Sequence, residues 1–409
     1  MTSSRWMNLL SRLLAASGAL TLLFLLLLTT SGWALMAGYV PSDAEAFSSV
    51  LYMRQGSAGG PLLLSVHHYL ASAVVVTAFL YLLATYLAGR HTSERVHWWS
   101  GTGAYLLLLG ICFFGYLLPM DQKAYWGTVV RLGIVETMPR LGDLAATFLR
   151  GGEVFNASTL PRFYTLHVAV LPTLLLLAAW PLWRAVGRQL EDRRRLVRWL
   201  AASLAALAVV YLVAATLPAP LEIRGDPTDS EYVPRPEWYF LWLFQFGKQV
   251  ESMPWIESLL LPLGGLLLLA TLPFITRQRL AGRLALAGSW CALWLTLTAL
   301  ALHADRDLPP KLPYEQAMRL QAEQQYQALC AECHGEDGRG KGPQAAAFDL
   351  EVRDLTLAET WQQISAEAMR QAIRDGKGDD MPAFGRELAE EEIDAMMALL
   401  EQKFAPTPR

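Results

Sequence analysis

Charge is scarce in this chain. Only 17% of its 409 residues are charged, against 53% hydrophobic. That balance excludes an ordinary soluble enzyme. The net charge of -3 says little, because charge in such a chain is distributed by membrane side. The basic residues sit beside apolar segments, so no nucleic-acid partner is expected. Cysteine is almost as thin. Of four cysteines, Cys112 and Cys291 stand alone in apolar segments and read as small core residues. That leaves one close pair, Cys330 and Cys333. Histidine numbers only seven. The apolar stretch "SVHHYLASAVVVTAFLYLLATYL" carries two at its start, His67 and His68, and none deeper.

Long apolar runs are abundant. A spanning helix needs about 20 mostly apolar residues. About seven segments qualify: 14–38, 62–88, 100–118, 163–186, 197–217, 257–275 and 284–302. The first follows Arg5 and Arg12 but lacks an obvious small-x-small cleavage site, so it reads as a retained helix. Lys/Arg bias sets the orientation. Arg184, Arg188, Arg193, Arg194, Arg195 and Arg198 cluster between segments four and five, Arg277, Arg279 and Arg283 between six and seven, and Arg90 and Arg95 between two and three. These loops fall on the side of Arg5 and Arg12, the cytoplasm. Seven spans then place everything after residue 303 outside a bacterial cytoplasmic (inner) membrane.

Composition changes at "ADRDLPPKLPYEQ", and 304–314 reads as a linker. The polar, helical-patterned tail contains "CAECHGEDGRGKGP". Cys330, Cys333 and His334 form a C-x-x-C-H haem attachment signature. Two thioethers bind the haem covalently, and His334 is placed to ligate the iron. A bare C-x-x-C also suits a redox or zinc pair, but the adjacent histidine and the glycine-rich loop favour haem. Met381 in "GKGDDMPAFGREL" offers a soft sixth ligand that raises the reduction potential. Met369, Met396 and Met397 lie in helical patterns and read as packing residues.

His67 and His167 each lie about five residues into a segment entered from the outer side. At 1.5 Å rise per residue their depths match. Such a pair can clamp one b-type haem. The plainer alternative is two polar residues near the interface. Gly18 and Gly32 are fourteen apart in segment one, as are Gly101 and Gly115 in segment three. Glycine lets a flat macrocycle lie against a helix, although small residues in spans also serve close helix packing.

The stretches "EAFSSVLYM", "SVHHY", "GYLLPMDQKAYW", "RFYTLH" and "VPRPEWYFLWLFQ" resemble the cytochrome b of quinol-oxidising cytochrome bc (Rieske) complexes, above all the split type of oxygenic photosynthesis and Gram-positive bacteria. The Met-Pro-Ala-Phe-Gly context resembles the methionine loop of class I c-type cytochromes. The resemblance implies an all-α polytopic membrane protein. Residues 1–190 correspond to the four-helix haem subunit and 191–303 to its three-helix partner, fused. The linker 304–314 leads to a small helical cytochrome c domain, 315–409, on the periplasmic side.

The resemblance implies that His67 and His167 ligate an outer b haem packed on Gly32 and Gly115. It also implies a second histidine about fourteen or fifteen residues deeper on each helix. Those places hold Tyr81 and Leu182 (or Pro181). One b haem is therefore expected, beside one covalent c haem, with the vacated space filled by Tyr81, Trp180 and Leu182. His68 stands where the photosynthetic relatives carry Arg, which suggests a propionate or interface contact. Ala16 stands where those relatives attach an extra haem through cysteine, so none is expected. Pro-Glu-Trp-Tyr, residues 236–239, is the family's signature at the outer quinol pocket. A carboxylate there, Glu237, accepts a proton as quinol is oxidised, and Tyr239 positions or gates the quinol head. "YWGTVVRLGIVETMPRLG" resembles the amphipathic element that roofs that pocket.

The expected function is quinol oxidation at an outer site, with electron transfer through a b haem and a c haem. The partners implied are a Rieske iron–sulfur protein, for which this chain has no ligand set, membrane quinol, an electron acceptor on the periplasmic side and a second copy in a homodimer. Two alternatives stand beside this: a two-b-haem Q-cycle cytochrome b with unusual inner ligands, and a degenerate b scaffold anchoring a c-type electron carrier.

Overall fold

The computed structural model describes residues 2–190, 193–229, 231–275, 279–308, 311–378 and 380–406. Of the basic residues used above for orientation, Arg277 lies outside them. Among the described residues there is no strand, and seven helices are long and apolar enough to cross a membrane. They run Leu9–Met36, Gly60–Leu87, Arg95–Gly115, Thr159–Arg184, Trp199–Thr216, Ile256–Phe274 and Leu280–Ala304. The chain is an all-α multi-pass membrane protein.

Two compact units divide the chain: Met1–Pro220 with Arg224–Pro309, and Leu221–Ile223 with Pro310–Arg409. In the first unit the first span packs along the second and the third along the fourth. Phe24, Leu70, Val74, Leu108 and Leu175 meet in their common core. Lipid is as apolar as these side chains, so close packing rather than water release holds the spans together. Leu177, Leu204, Leu212, Leu267 and Leu295 face outward, as the bilayer solvent requires.

The third span begins at Arg95, earlier than its apolar run. Its first turn is held by tertiary contacts: the Trp98 indole donates to the Leu269 carbonyl at 2.8 Å and Trp99 to that of Ala270 at 3.0 Å. After this span comes a 15-residue helix, Gln122–Glu136, whose N-cap Asp121 accepts from the Ala124 amide at 2.8 Å. Such a cap contributes about 1 kcal/mol. The loop before residue 230 is laced to this helix: the Gln122 amide donates to Asp229 at 2.7 Å and accepts from the Asp226 amide at 2.6 Å. The Pro-Glu-Trp-Tyr segment that follows is thereby carried to the same place.

In the second unit, helices Tyr314–Gln325 and Glu390–Phe404 pack together around Tyr326, Ile393 and Met396. Glu392 accepts from the Gln321 and Gln325 amides at 2.6 and 2.7 Å. Met369, Met396 and Met397 all pack into this core, as their helical spacing suggests.

Candidate functional site

His67 lies on the second span. His167 lies on the fourth, inside a π-helical turn, Leu166–Val170. The wider turn re-aims a side chain, which is why such turns gather at functional sites. The two imidazoles are neighbours in a T-shaped arrangement, with ring centroids 6.3 Å apart and planes at 77°. His167 Nδ1 is 2.9 Å from the Ile111 carbonyl. A carbonyl only accepts, so Nδ1 carries the proton and the Nε2 lone pair is left available. His67 Nδ1 is 3.0 Å from Ser31 Oγ. Ser31 gives its own proton to the Leu28 carbonyl at 3.0 Å, so His67 is also held as the Nδ1–H tautomer. Hydrogen bonding at one ring nitrogen is how proteins orient an imidazole for a metal at the other.

Each ring lies over a glycine. A Cβ on Gly32 would stand 3.2 Å from His67 Cε1, and one on Gly115 would stand 2.4 Å from His167 Cε1. A metal–imidazole bond of ~2 Å, plus about 1 Å from nitrogen to ring centre, gives roughly 6 Å between two rings sharing one metal. The observed separation of 6.3 Å fits a shared iron. The donor set, its tautomers and the glycine cradle all suit one b haem.

The level of Gly18 and Gly101 is different. Tyr81 lies between them: a Cβ on Gly18 would stand 3.1 Å from Tyr81 Cδ2 and 3.5 Å from Leu182 Cδ1, and one on Gly101 3.7 Å from Tyr81 Cε1. The cavity beside Tyr81, Gly101, Tyr105 and Leu182 measures ≈ 20 Å³, against the roughly 300 Å³ or more of a pocket for a drug-sized ligand. Trp180 does not share in this filling. It is 59% exposed, because the helical repeat turns it outward when Leu182 points in. His91 is fully buried against Tyr86 and Trp98, with ring centroids 4.8 and 5.7 Å away, and is part of a separate aromatic cluster.

Glu237 and Tyr239 lie where the second and third spans meet helix Gln122–Glu136. Tyr239 packs against the four-span core. Trp238 donates to Ser72 at 3.2 Å. Lys123 Nζ donates to Glu237 Oε1 at 2.7 Å, and both side chains are 20% exposed. The Lys123 ammonium and the Arg131 guanidinium also lie over the Tyr116 ring, at 5.2 and 4.2 Å. Burial pushes the Glu237 carboxyl up, but the Lys123 charge and hydrogen bond, with the charges of His68 and Arg131, leave it below the ordinary glutamate value. Burial, with Cys112 and Glu237 nearby, pushes the Tyr239 phenol above its ordinary value, so it stays a neutral hydrogen-bond donor. Lys123, Arg131 and Ser31 are the members of this region that the sequence does not announce. Each becomes visible only through contacts distant in the chain.

In the second unit, Cys330 closes a π-helical turn, Tyr326–Cys330, and Cys333 and His334 lie on the short helix Ala331–His334. The loop then folds back: the Gly340 amide donates to the His334 carbonyl at 2.8 Å and that of Gly342 to the Cys333 carbonyl at 3.0 Å. A Cβ on Gly342 would stand 2.3 Å from the Glu332 carbonyl oxygen, so this close backbone approach requires glycine. Both cysteines are unpaired and partly exposed. Burial, with Cys333 adding to it, pushes the Cys330 thiol up to about 11. A redox C-x-x-C pair lowers its thiol instead. Met381 and Phe384 pack on the same core as Cys330. Two free thiols, a following histidine and a nearby thioether suit a covalent c haem.

Known proteins resemble both parts of the chain. The sequence model of the cytochrome b/b6/petB family matches residues 4–182, and that of cytochrome c oxidase, cbb3-type, subunit III, matches residues 317–400. Cytochrome b6 of Synechococcus sp. (strain WH7803) is 38% identical over 160 residues, covering 39% of this chain and 73% of the relative. A menaquinol:cytochrome c reductase cytochrome b subunit of Geobacillus thermodenitrificans is 37% identical over 161 residues, covering 39% and 72%. A solved structure, a hyperthermophilic respiratory Complex III, superposes with a TM-score of 0.61 at 24% identity, over 72% of this chain and 84% of its own. That likeness speaks for the fold. With the paired histidines, their glycine cradle and these relatives together, the chain belongs to the cytochrome b/b6 family, an oxidoreductase subunit carrying a cytochrome c domain at its C-terminal end.

Proposed function

We propose that this chain oxidises quinol at an outer pocket around Glu237 and Tyr239, within a complex that includes a Rieske iron–sulfur protein. The observation that carries this reading is the placement of Tyr239 against the core of the histidine-bearing spans, with the Glu237 carboxylate beside it. Oxidation of one quinol releases two electrons and two protons. Glu237, ionised and mostly shielded, accepts a proton as the quinol loses electrons. Tyr239, a neutral phenol, donates a hydrogen bond that orients the quinol head. Trp238, tied to Ser72, fixes the segment's angle.

His67 and His167 would hold one b haem on the outer side. Cys330, Cys333, His334 and Met381 would hold one c haem. When bound, each haem supplies one-electron redox chemistry. Tyr81 and Leu182 fill the space of an inner haem, which supports a count of one b haem. Residues 1–190 are the haem-bearing part, 191–303 the three-helix part, 304–314 the linker and 315–409 the cytochrome c part, facing the periplasm and its electron acceptor. With no inner haem, electrons leave on the outer side.

The test is anaerobic mixing of the purified complex with a reduced short-chain menaquinol. Quinol-dependent reduction of the c haem, slowed about a hundredfold with Glu237→Gln, is expected. A c haem that accepts electrons from dithionite but never from quinol would leave only a scaffold for an electron carrier.

A further inference from the structure

Helix Gln122–Glu136 opens with an unusual choice. Lys123 is the second residue of its first turn, where the helix dipole disfavours a cation. Its partner is Glu237, 114 positions further on, bound at 2.7 Å with both groups four-fifths shielded from water. The Tyr116 ring closes a second side of the ammonium at 5.2 Å, and Tyr116 is itself fixed by donating to the Arg235 carbonyl at 2.8 Å, two residues before Glu237. Lys123 is thus built into the Pro-Glu-Trp-Tyr segment.

The other groups facing Glu237 are few. Arg131 comes from the same helix as Lys123, His68 and Tyr69 from the second span, Cys112 from the third, and Tyr239 from its own segment. Among the described residues, Lys123 is the cation in direct contact with the carboxylate. An opposite charge in contact with a shielded carboxylate favours the ionised form, whereas burial alone favours the protonated form. A base must be ionised to take a proton. We propose that Lys123 is a positioning residue of the outer site: it holds the Glu237 carboxylate charged and turned onto helix Gln122–Glu136, and so sets the pH below which quinol oxidation fails. This rests on the quinol reading above.

The sign follows from the ion pair. In the wild type the carboxylate stays charged to low pH, so the acid limb of the rate profile lies low. In Lys123→Met the largest opposition to burial is gone and only the more distant His68 and Arg131 charges remain, so the carboxyl protonates at higher pH and the acid limb moves up. The Lys123→Met rate on the acid limb falls below wild type by about tenfold, the lower end of what loss of a contacting opposite charge brings, while the rates converge at alkaline pH. Lys123→Arg keeps the charge and restores the limb.

The experiment measures quinol-dependent c-haem reduction against pH in the purified complex for wild type, K123M and K123R, with b and c haem spectra recorded for each. Superimposable acid limbs in wild type and K123M overturn the proposal. A wild type inactive with quinol at every pH defeats the functional reading instead. In that event, or if K123M fails to assemble, infrared difference titration of the wild type against E237Q decides the matter. A Glu237 carboxyl that titrates below the ordinary glutamate value supports the proposal, and one that titrates above it overturns it.

Discussion

Replacing Gly115 by alanine drives a methyl group into the face of His167. The new Cβ would stand 2.4 Å from Cε1, 2.7 Å from Nδ1 and 3.1 Å from Nε2 of that ring. Carbon atoms rest comfortably about 3.5–4.0 Å apart, so the imidazole must retreat by roughly 1 Å. Retreat stretches the Nδ1 hydrogen bond to the Ile111 carbonyl, now 2.9 Å. Overpacking costs about 1–3 kcal/mol and the weakened hydrogen bond about 1 kcal/mol. A total of about 2–4 kcal/mol is roughly a 30- to 1,000-fold loss in haem retention. Gly32→Ala is the internal control. Its nearest contact would be 3.2 Å, to His67 Cε1, which a shift of a few tenths of an ångström relieves for less than about 1 kcal/mol. The assay is transfer of b haem from the purified protein to an apo-haem acceptor, followed against the covalent c haem as an internal standard. Fast loss from Gly115→Ala and near-normal retention in Gly32→Ala are expected. Equal retention in the two variants, or greater damage from Gly32→Ala, would refute the cradle geometry.

Other consequences are open to direct measurement. Glu237→Gln should lower quinol oxidation by about a hundredfold while leaving both haem spectra intact; unchanged turnover would remove Glu237 from the proton path. Tyr81→Ala should cost about 3–5 kcal/mol by analogy with other aromatic-to-alanine core changes, read as a lower thermal midpoint, with no change in the b-haem spectrum; a changed spectrum would mark Tyr81 as an iron ligand. Met381→Ala should leave the c haem covalently attached but lower its reduction potential in a redox titration; an unaltered potential would point to another sixth ligand.

Much of the fold was legible because bilayer solvent leaves a plain signature. Runs of leucine and valine must be helices when no water is present to satisfy the backbone, and all seven were readable on that ground alone. Their ends were less so. The first helix extends back to Thr2, well ahead of its apolar run, because a helix continues past the apolar residues that sequence alone marks out. The start of the third span at Arg95 depends on indole hydrogen bonds to the sixth span, which no local pattern encodes. Trp180 reads as a space-filling residue in sequence but faces out, because two residues along a helix turn a side chain about 200°.

The candidate site divides in the same way. Histidines, glycines and the C-x-x-C-H run are conspicuous because their chemistry is scarce in apolar sequence. The partners that tune them are not. Ser31 is one hydroxyl among many, and its role depends on Leu28 taking its proton. The π turn around His167 has no compositional mark. Lys123 reads as one charge on an amphipathic helix until tertiary structure brings Glu237 to it.

The count of b haems per covalent c haem tests the account most directly. Pyridine haemochrome spectra of the purified protein, with the acid-acetone-extractable fraction taken as b and the residue as c, give the ratio. One extractable haem per covalent haem is the predicted result. Two would mean that the level of Tyr81 and Leu182 opens to admit a porphyrin, contrary to the packing described above.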